Sequence, residues 1–163
     1  MTPWKRICCA VDFGEASRAA LEQAMELARR LDAELTLVHV VVPLPALSDA
    51  AVLVSPQELN AAQAHEDEEV LARWAAEAEH EIGRPVRIRA MTGDAAAEIL
   101  RHARDERCDL LVIGTHGRTG LPRLVLGSVA ERVARQAPCQ VLVVHDGVAI
   151  EKAAELEEAA QYR

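Results

Sequence analysis

Aromatic side chains are nearly missing from this chain. Trp4, Phe13, Trp74 and Tyr162 make up 2% of its 163 residues. A basic surplus is missing too, since the net charge is −8 and the sequence pI about 5.2. Nucleic-acid binding draws on basic stripes and stacking rings, so no nucleic-acid partner is expected. No apolar run nears the roughly 20 residues of a membrane helix, and no membrane partner is expected. The first apolar stretch, Ile7 to Val11, is too short for a signal core and has no small-residue cleavage site, which points to a cytoplasmic protein. The four cysteines include no CxxC, and no Cys/His spacing in the chain suggests zinc. Cys8 and Cys9 are strand neighbours whose side chains point to opposite faces, and Cys108 and Cys139 open later strands. Reduced, buried thiols and no metal ligand are the expectation. No Gly-Lys-Ser/Thr occurs, which excludes a Walker A loop. No triad, paired carboxylates or activated nucleophile stands out, so no catalytic residue is assigned.

Hydrophobic residues are present at 50%, enough for one domain with a real core. Apolar strands are expected at Ile7–Asp12, Glu34–Val42, Val86–Met91, Asp109–Ile113 and Gln140–Val144. Helical patterns run between them. One starts at Gly14 and carries Ala16, Ala20, Ala24, Leu27, Ala28 and Leu31 at helical spacing. The next opens on a capping box, Ser55-Pro56-Gln57-Glu58, carries Leu59, Ala62, Val70 and Trp74, and stops at Gly83 and Pro85. A third follows Gly93-Asp94, with Ile99, Leu100 and Ala103 inward. A fourth spans Ser128 to Ala137. The second strand is almost continuously apolar, as in sheets covered on both faces. The third alternates Val86, Ile88 and Ala90 with Arg87 and Arg89, so one face should be less covered. This alternation of strands and helices predicts an α/β fold, a five-stranded parallel sheet with helices on both faces in three layers. The domain is placed at 1–145, with an acidic helical tail at 146–163. The run Glu66-Asp67-Glu68-Glu69 is expected to be a solvated helix face, and His39 a satisfied structural residue.

Between the fourth strand and the fourth helix lies GTHGRTGLPRLVLGS, residues 114 to 128. A glycine-rich turn from a strand into a helix lets backbone N–H groups approach an anion. Gly114 is expected to turn the chain sharply, Gly117 to form an anion nest, and Gly127 to admit a phosphate to the helix start. Ser128 offers a hydroxyl, and its own capping box, Ser128-Val129-Ala130-Glu131, leaves a plain capping role open. Arg118 and Arg123 could neutralise phosphates or simply be solvated, and the residues leave both readings open. Asp12, at the end of the first strand, suits ribose hydroxyls or a cap on the first helix.

The spacing Gly114, Gly117, Gly127-Ser128 is G-x2-G-x9-G-[ST], and it resembles the ATP-binding branch of the universal stress protein family. Val11-Asp12-Phe13, Leu37-Val38-His39-Val40, Gly93-Asp94 and Pro138-Cys139 extend the resemblance over residues 5 to 145. It implies a Rossmann-like fold of the adenine-nucleotide α-hydrolase-like type. It implies an ATP site, or one for another adenine nucleotide, at Ala10, Val11, Asp12, Val40, Gly114, Thr115, Gly117, Arg118, Gly127, Ser128 and Val129. Val40 would meet the adenine edge through its backbone. Mg²⁺ is expected to accompany ATP, with no protein ligand identifiable. The family often has serine where Gly14 stands and a proline near Ala10, so the first helix cap and a pocket wall should differ. The family resemblance implies a stress-response sensor or regulator with weak or absent hydrolysis. A slow ATPase or self-phosphorylating protein using Thr115, Thr119 or Ser128, and a nucleotide-free dimeric scaffold, stay open. The last strand, Gln140 to Val144, is apolar and expected at a sheet edge, which invites pairing with another chain. The resemblance implies a homodimer through it.

Overall fold

The sheet is organised around its first strand, β1 (Arg6–Ala10). Ile7 to Ala10 are all buried there, which a strand tolerates only with neighbours on both sides and layers on both faces. The computed structural model describes residues 4–43, 55–115 and 126–145. Along the chain follow α1 (Glu15–Leu31), β2 (Glu34–Val41), α2 (Pro56–Ile82), β3 (Val86–Thr92), α3 (Ala95–Asp105), β4 (Leu110–Gly114), α4 (Ser128–Gln136) and β5 (Gln140–Val144). The strands lie in the order β3-β2-β1-β4-β5, and every pairing is parallel. The expected α/β architecture is therefore present. The chain steps outward from β1 to β3, then returns to β1's other side for β4 and β5. That reversal opens a crevice at the carboxyl ends of β1 and β4.

The two faces carry separate cores. On one, Ala20, Leu21, Ala24 and Ala28 of α1 and Leu71, Ala75 and Ile82 of α2 pack on Ile7, Cys9, Leu35 and Leu37. On the other, Ile99, Leu100 and Ala103 of α3 and Ala130 and Val133 of α4 pack on Cys8, Val38, Leu111 and Ile113. Consecutive strand residues Cys8 and Cys9 enter opposite cores, as period-two geometry requires. Arg18 of α1 donates to both Glu77 carboxylate oxygens of α2, one at 2.8 Å, and its guanidinium stands 5.3 Å over Trp74.

The helix ends follow their local chemistry. Ser55 caps α2 with both halves of the capping box formed, and Gly83 closes it at φ 72°. Asp94 accepts the Ala97 N–H at 2.8 Å to cap α3. The buried faces and caps resolve points that the sequence left open. The buried stripe of α2 is Asp67, Leu71, Ala75, Ala78 and Ile82; of the apolar positions noted from the sequence, Leu59 is 42% exposed and Trp74 packs on the core from its margin. β3 is an edge strand whose central residues, Ile88 included, are exposed, so the alternation did not mark one covered face. The N-cap of α4 is Gly127, which brings no side chain to the cap, so the capping role left open for Ser128 is not taken up. β5 occupies the other edge, as expected, with Val141 to Val144 half-buried. The tail at 146–163 lies outside the described residues.

Candidate functional site

A cavity of about 740 Å³ opens at the carboxyl ends of β1, β2 and β4. Its volume is within the usual range of small-molecule sites. Nine residues singled out from the sequence line it: Ala10, Val11, Asp12, Val40, Gly114, Thr115, Gly127, Ser128 and Val129. Gly117, Arg118, Thr119 and Arg123 lie outside the described residues. Segments distant in sequence meet here because parallel strands present all their carboxyl ends on one edge.

Asp12 follows β1 by two residues. Its carboxylate accepts the Gly14 N–H at 3.0 Å and the Ser17 hydroxyl, while the Ser17 Oγ accepts the Asp12 N–H at 2.9 Å. This knot holds the acid at the cavity rim and opens α1, whose N-cap, Gly14, supplies no side chain. Between them Phe13 takes a left-handed φ of 66°, a costly state for a bulky residue. Its ring stacks on His39 with centroids 4.5 Å apart and meets Trp74 edge-on at 5.4 Å, contacts that help hold this turn.

His39 is buried, as a satisfied structural residue should be. Its Nδ1 donates to the Val11 carbonyl at 2.8 Å, and its Nε2 stands 3.1 Å from Asp67 Oδ2. Gln63 Nε2 donates to the other Asp67 oxygen at 2.9 Å. Asp67 is thus no part of a solvated face, being only 4% exposed. With Asn60 and Gln63 it forms a polar wall of the cavity on α2 that sequence reasoning missed. A signal was available: Asp67 falls in phase with Leu71, Ala75, Ala78 and Ile82 on one helix stripe.

Gly114, Thr115 and Gly127 to Ala130 line another part of the cavity. Gly114 does not adopt a positive φ, so the expected sharp turn is not its reason for being glycine. A Cβ there would stand 2.7 Å from the Ala16 carbonyl carbon and 2.8 Å from both its oxygen and its Cβ. Glycine lets the start of α1 press against the end of β4. Thr115 then anchors the segment. Its N–H donates to the Val144 carbonyl at 2.9 Å, and its carbonyl accepts the Gly127 N–H at 2.7 Å. That second bond closes the base of the segment between them. The Thr115 Oγ1 is fully buried and has no hydrogen-bond partner among the described residues. Beside it α4 begins at Gly127, which has no side chain to cap it, so among the described residues no side-chain cap meets its first-turn N–H groups. An orphaned hydroxyl, an uncapped helix start and flanking glycine fit the oxygens of an anion.

Residues 3–145 match the model of the universal stress protein family. A universal stress protein of Methanocaldococcus jannaschii is 36% identical over 146 residues, covering 86% of this chain and 82% of the relative. The solved universal stress protein UspA from Lactobacillus plantarum superposes with a TM-score of 0.78 at 26% identity, covering 88% of this chain and 99% of that one. A universal stress protein family protein from Arabidopsis thaliana, solved with AMP bound, shares the fold at a TM-score of 0.61 and 21% identity, covering 88% and 92%.

Proposed function

The chain belongs to the universal stress protein family, and on that premise we propose that it retains an adenine nucleotide, ATP in the first instance, in the cavity at the carboxyl ends of β1, β2 and β4. The observation that carries the reading is the buried Thr115 hydroxyl, which has no hydrogen-bond partner among the described residues, beside the start of α4, whose N-cap Gly127 has no capping side chain. In this assignment Gly127, Ser128 and Val129 meet phosphate oxygens through backbone N–H groups and the Ser128 hydroxyl, and Gly117 and Arg118 add to them. The helix dipole favours the negative charge. Asp12 takes the ribose, and Ala10, Val11 and Val40 form the base pocket. The AMP held by the Arabidopsis protein of the same fold supports an adenine nucleotide. Mg²⁺ would ride on the phosphates.

The two carboxylates among the described lining residues, Asp12 and Asp67, are each engaged in hydrogen bonds. This favours retention over turnover, and a sensor or regulator whose occupancy changes its partners in the cytoplasm over an ATPase. The binding unit is assigned to residues 1–145, with 146–163 an appended tail, and β5 to the interface of a homodimer.

The test is direct. The purified chain is denatured and any released nucleotide identified by chromatography; nucleotide-free protein is then titrated with ATP, ADP and AMP. A ligand at 100 times its Kd adds about 2.7 kcal/mol, or roughly 5–10 °C in melting temperature for a domain of this size. Gly127→Val and Asp12→Ala should each shrink that shift. A wild type that carries no nucleotide and whose melting is unmoved by all three would end the proposal.

A further inference from the structure

A second cluster of reactive side chains lies away from the cavity, in the core beneath α3. Cys8 of β1 is fully buried, and His102 of α3 is 7% exposed. Cys108, just before β4, is half-buried. Their two sulfurs and one imidazole nitrogen all lie within 4.8 Å of one another. We propose that Cys8, His102 and Cys108 form a site for a thiophilic metal ion, Zn²⁺.

Four observations carry this. The ligand set is two thiols and an imidazole, the soft donors that Zn²⁺ prefers over hard cations. The spacing is near that of a bound ion. Zn–S bonds of about 2.3 Å and a Zn–N bond of about 2.0 Å place tetrahedral donors roughly 3.5–3.8 Å apart, so closing onto an ion needs shifts of about 1 Å or less per ligand. The His102 Nε2 is buried with no hydrogen-bond partner among the described residues, a state that native interiors rarely leave unexplained. Finally, the backbone is already fixed around the cluster. The Cys108 N–H donates to the Ala103 carbonyl at 2.9 Å and the Glu106 N–H to the His102 carbonyl at 3.0 Å, with Arg107 between them at φ 50°. Asp109 then bonds to β1, its N–H to the Arg6 carbonyl at 2.8 Å and its carboxylate accepting the Lys5 and Arg6 N–H groups. Cys108 is thereby tied both to the helix that carries His102 and to the strand that carries Cys8.

Binding forms two Zn–S bonds and one Zn–N bond, and the two thiol protons leave to solvent. The ion would pin α3 to β1 and β4. The site shares none of these ligands with the nucleotide cavity. Sequence spacing hides it because Cys8 joins His102 and Cys108 only when β1 pairs with β4.

The experiment titrates the reduced full-length chain with Co²⁺ and then displaces it with Zn²⁺. Expected are a sulfur-to-cobalt charge-transfer band and tetrahedral visible bands that saturate near one ion per chain and vanish on adding Zn²⁺. Cys108→Ser should remove much of the charge-transfer intensity, and His102→Gln should weaken Co²⁺ binding by about tenfold or more. Cys9→Ala, on the opposite face of the sheet, should leave the spectrum intact. A second readout on the wild type needs no variant: Zn²⁺ should raise its melting temperature and EDTA reverse the rise. No thiolate band in the reduced wild type, or a spectrum equally unchanged in Cys108→Ser and Cys9→Ala, overturns the proposal. So does a Cys8–Cys108 disulfide in a chain whose reduced form binds neither ion.

Discussion

Replacing Gly114 by alanine tests the packing account of the glycine segment. The new Cβ would face three atoms of Ala16 at 2.7–2.8 Å, two of them backbone. Carbon contacts settle at about 3.5–4.0 Å, so the start of α1 must retreat by roughly 0.7 Å or more. Overpacking of this kind costs about 1–3 kcal/mol. Against it stands the lower entropy of an unfolded chain with alanine in place of glycine, about 0.4–1 kcal/mol. The clash wins, leaving a net loss of about 1–2 kcal/mol and a melting temperature lower by roughly 2–8 °C. Urea unfolding at pH 7, with the midpoint and slope compared, measures the difference. A partner variant sharpens the test. Ala16→Gly removes only the methyl carbon of the clash, so Gly114→Ala with Ala16→Gly should recover part of the loss beyond additivity and never all of it. Since Ala16 adjoins Ser17, which holds Asp12, nucleotide affinity should fall in step. A Gly114→Ala protein as stable as the wild type would refute the reasoning, because positive φ is not available at this position as another explanation.

Further outcomes follow from other contacts. Asp67→Ala should destabilise the fold by about 1–3 kcal/mol, because it strips Gln63 of a buried acceptor and the His39 Nε2 of its polar partner; Asp67→Asn, which keeps one oxygen, should cost less in the same urea titration. Ser55→Ala should cost about 1 kcal/mol by removing the α2 cap. The Ser55 N–H and hydroxyl hold the Glu58 carboxyl below the usual carboxylate range. The folded value is then the lower one, so this contribution is present above the unfolded value of about 4.3 and fades as the pH falls through the folded one. The stability gap between wild type and Glu58→Ala should therefore narrow from pH 7 to pH 3.5. Val143→Lys on β5 should turn the proposed dimer into a monomer in sedimentation equilibrium without unfolding it; a monomeric wild type would refute the interface.

The sheet was legible because buried parallel strands read as apolar runs, and β5 was placed with its bounds intact. Helix ends were legible where a side chain makes the cap, as at Ser55, and stayed open at Ser128, where the capping position belongs to a residue with no side chain. The inward face of α2 was misread because charges crowd Asp67, and only the phase of the later stripe separates it from its neighbours. Gly114 was recognised but for the wrong cause: close approach between β4 and α1 is a tertiary fact with no local signature. The cysteine cluster was illegible for the same reason. Its ligands are neighbours only after β1 and β4 have paired.

That pairing has a consequence for synthesis. Ile7 lies opposite Leu110, with most of the domain's chain between them. At ribosomal speeds of about 5–20 residues per second, β1 waits roughly 5–20 seconds for its second neighbour. Meanwhile β1, β2 and β3 can already pair, but one apolar edge of the central strand stays bare. The nascent half-sheet is therefore the stage at which this protein most needs a chaperone, and its vulnerability ends only when β4 leaves the ribosome.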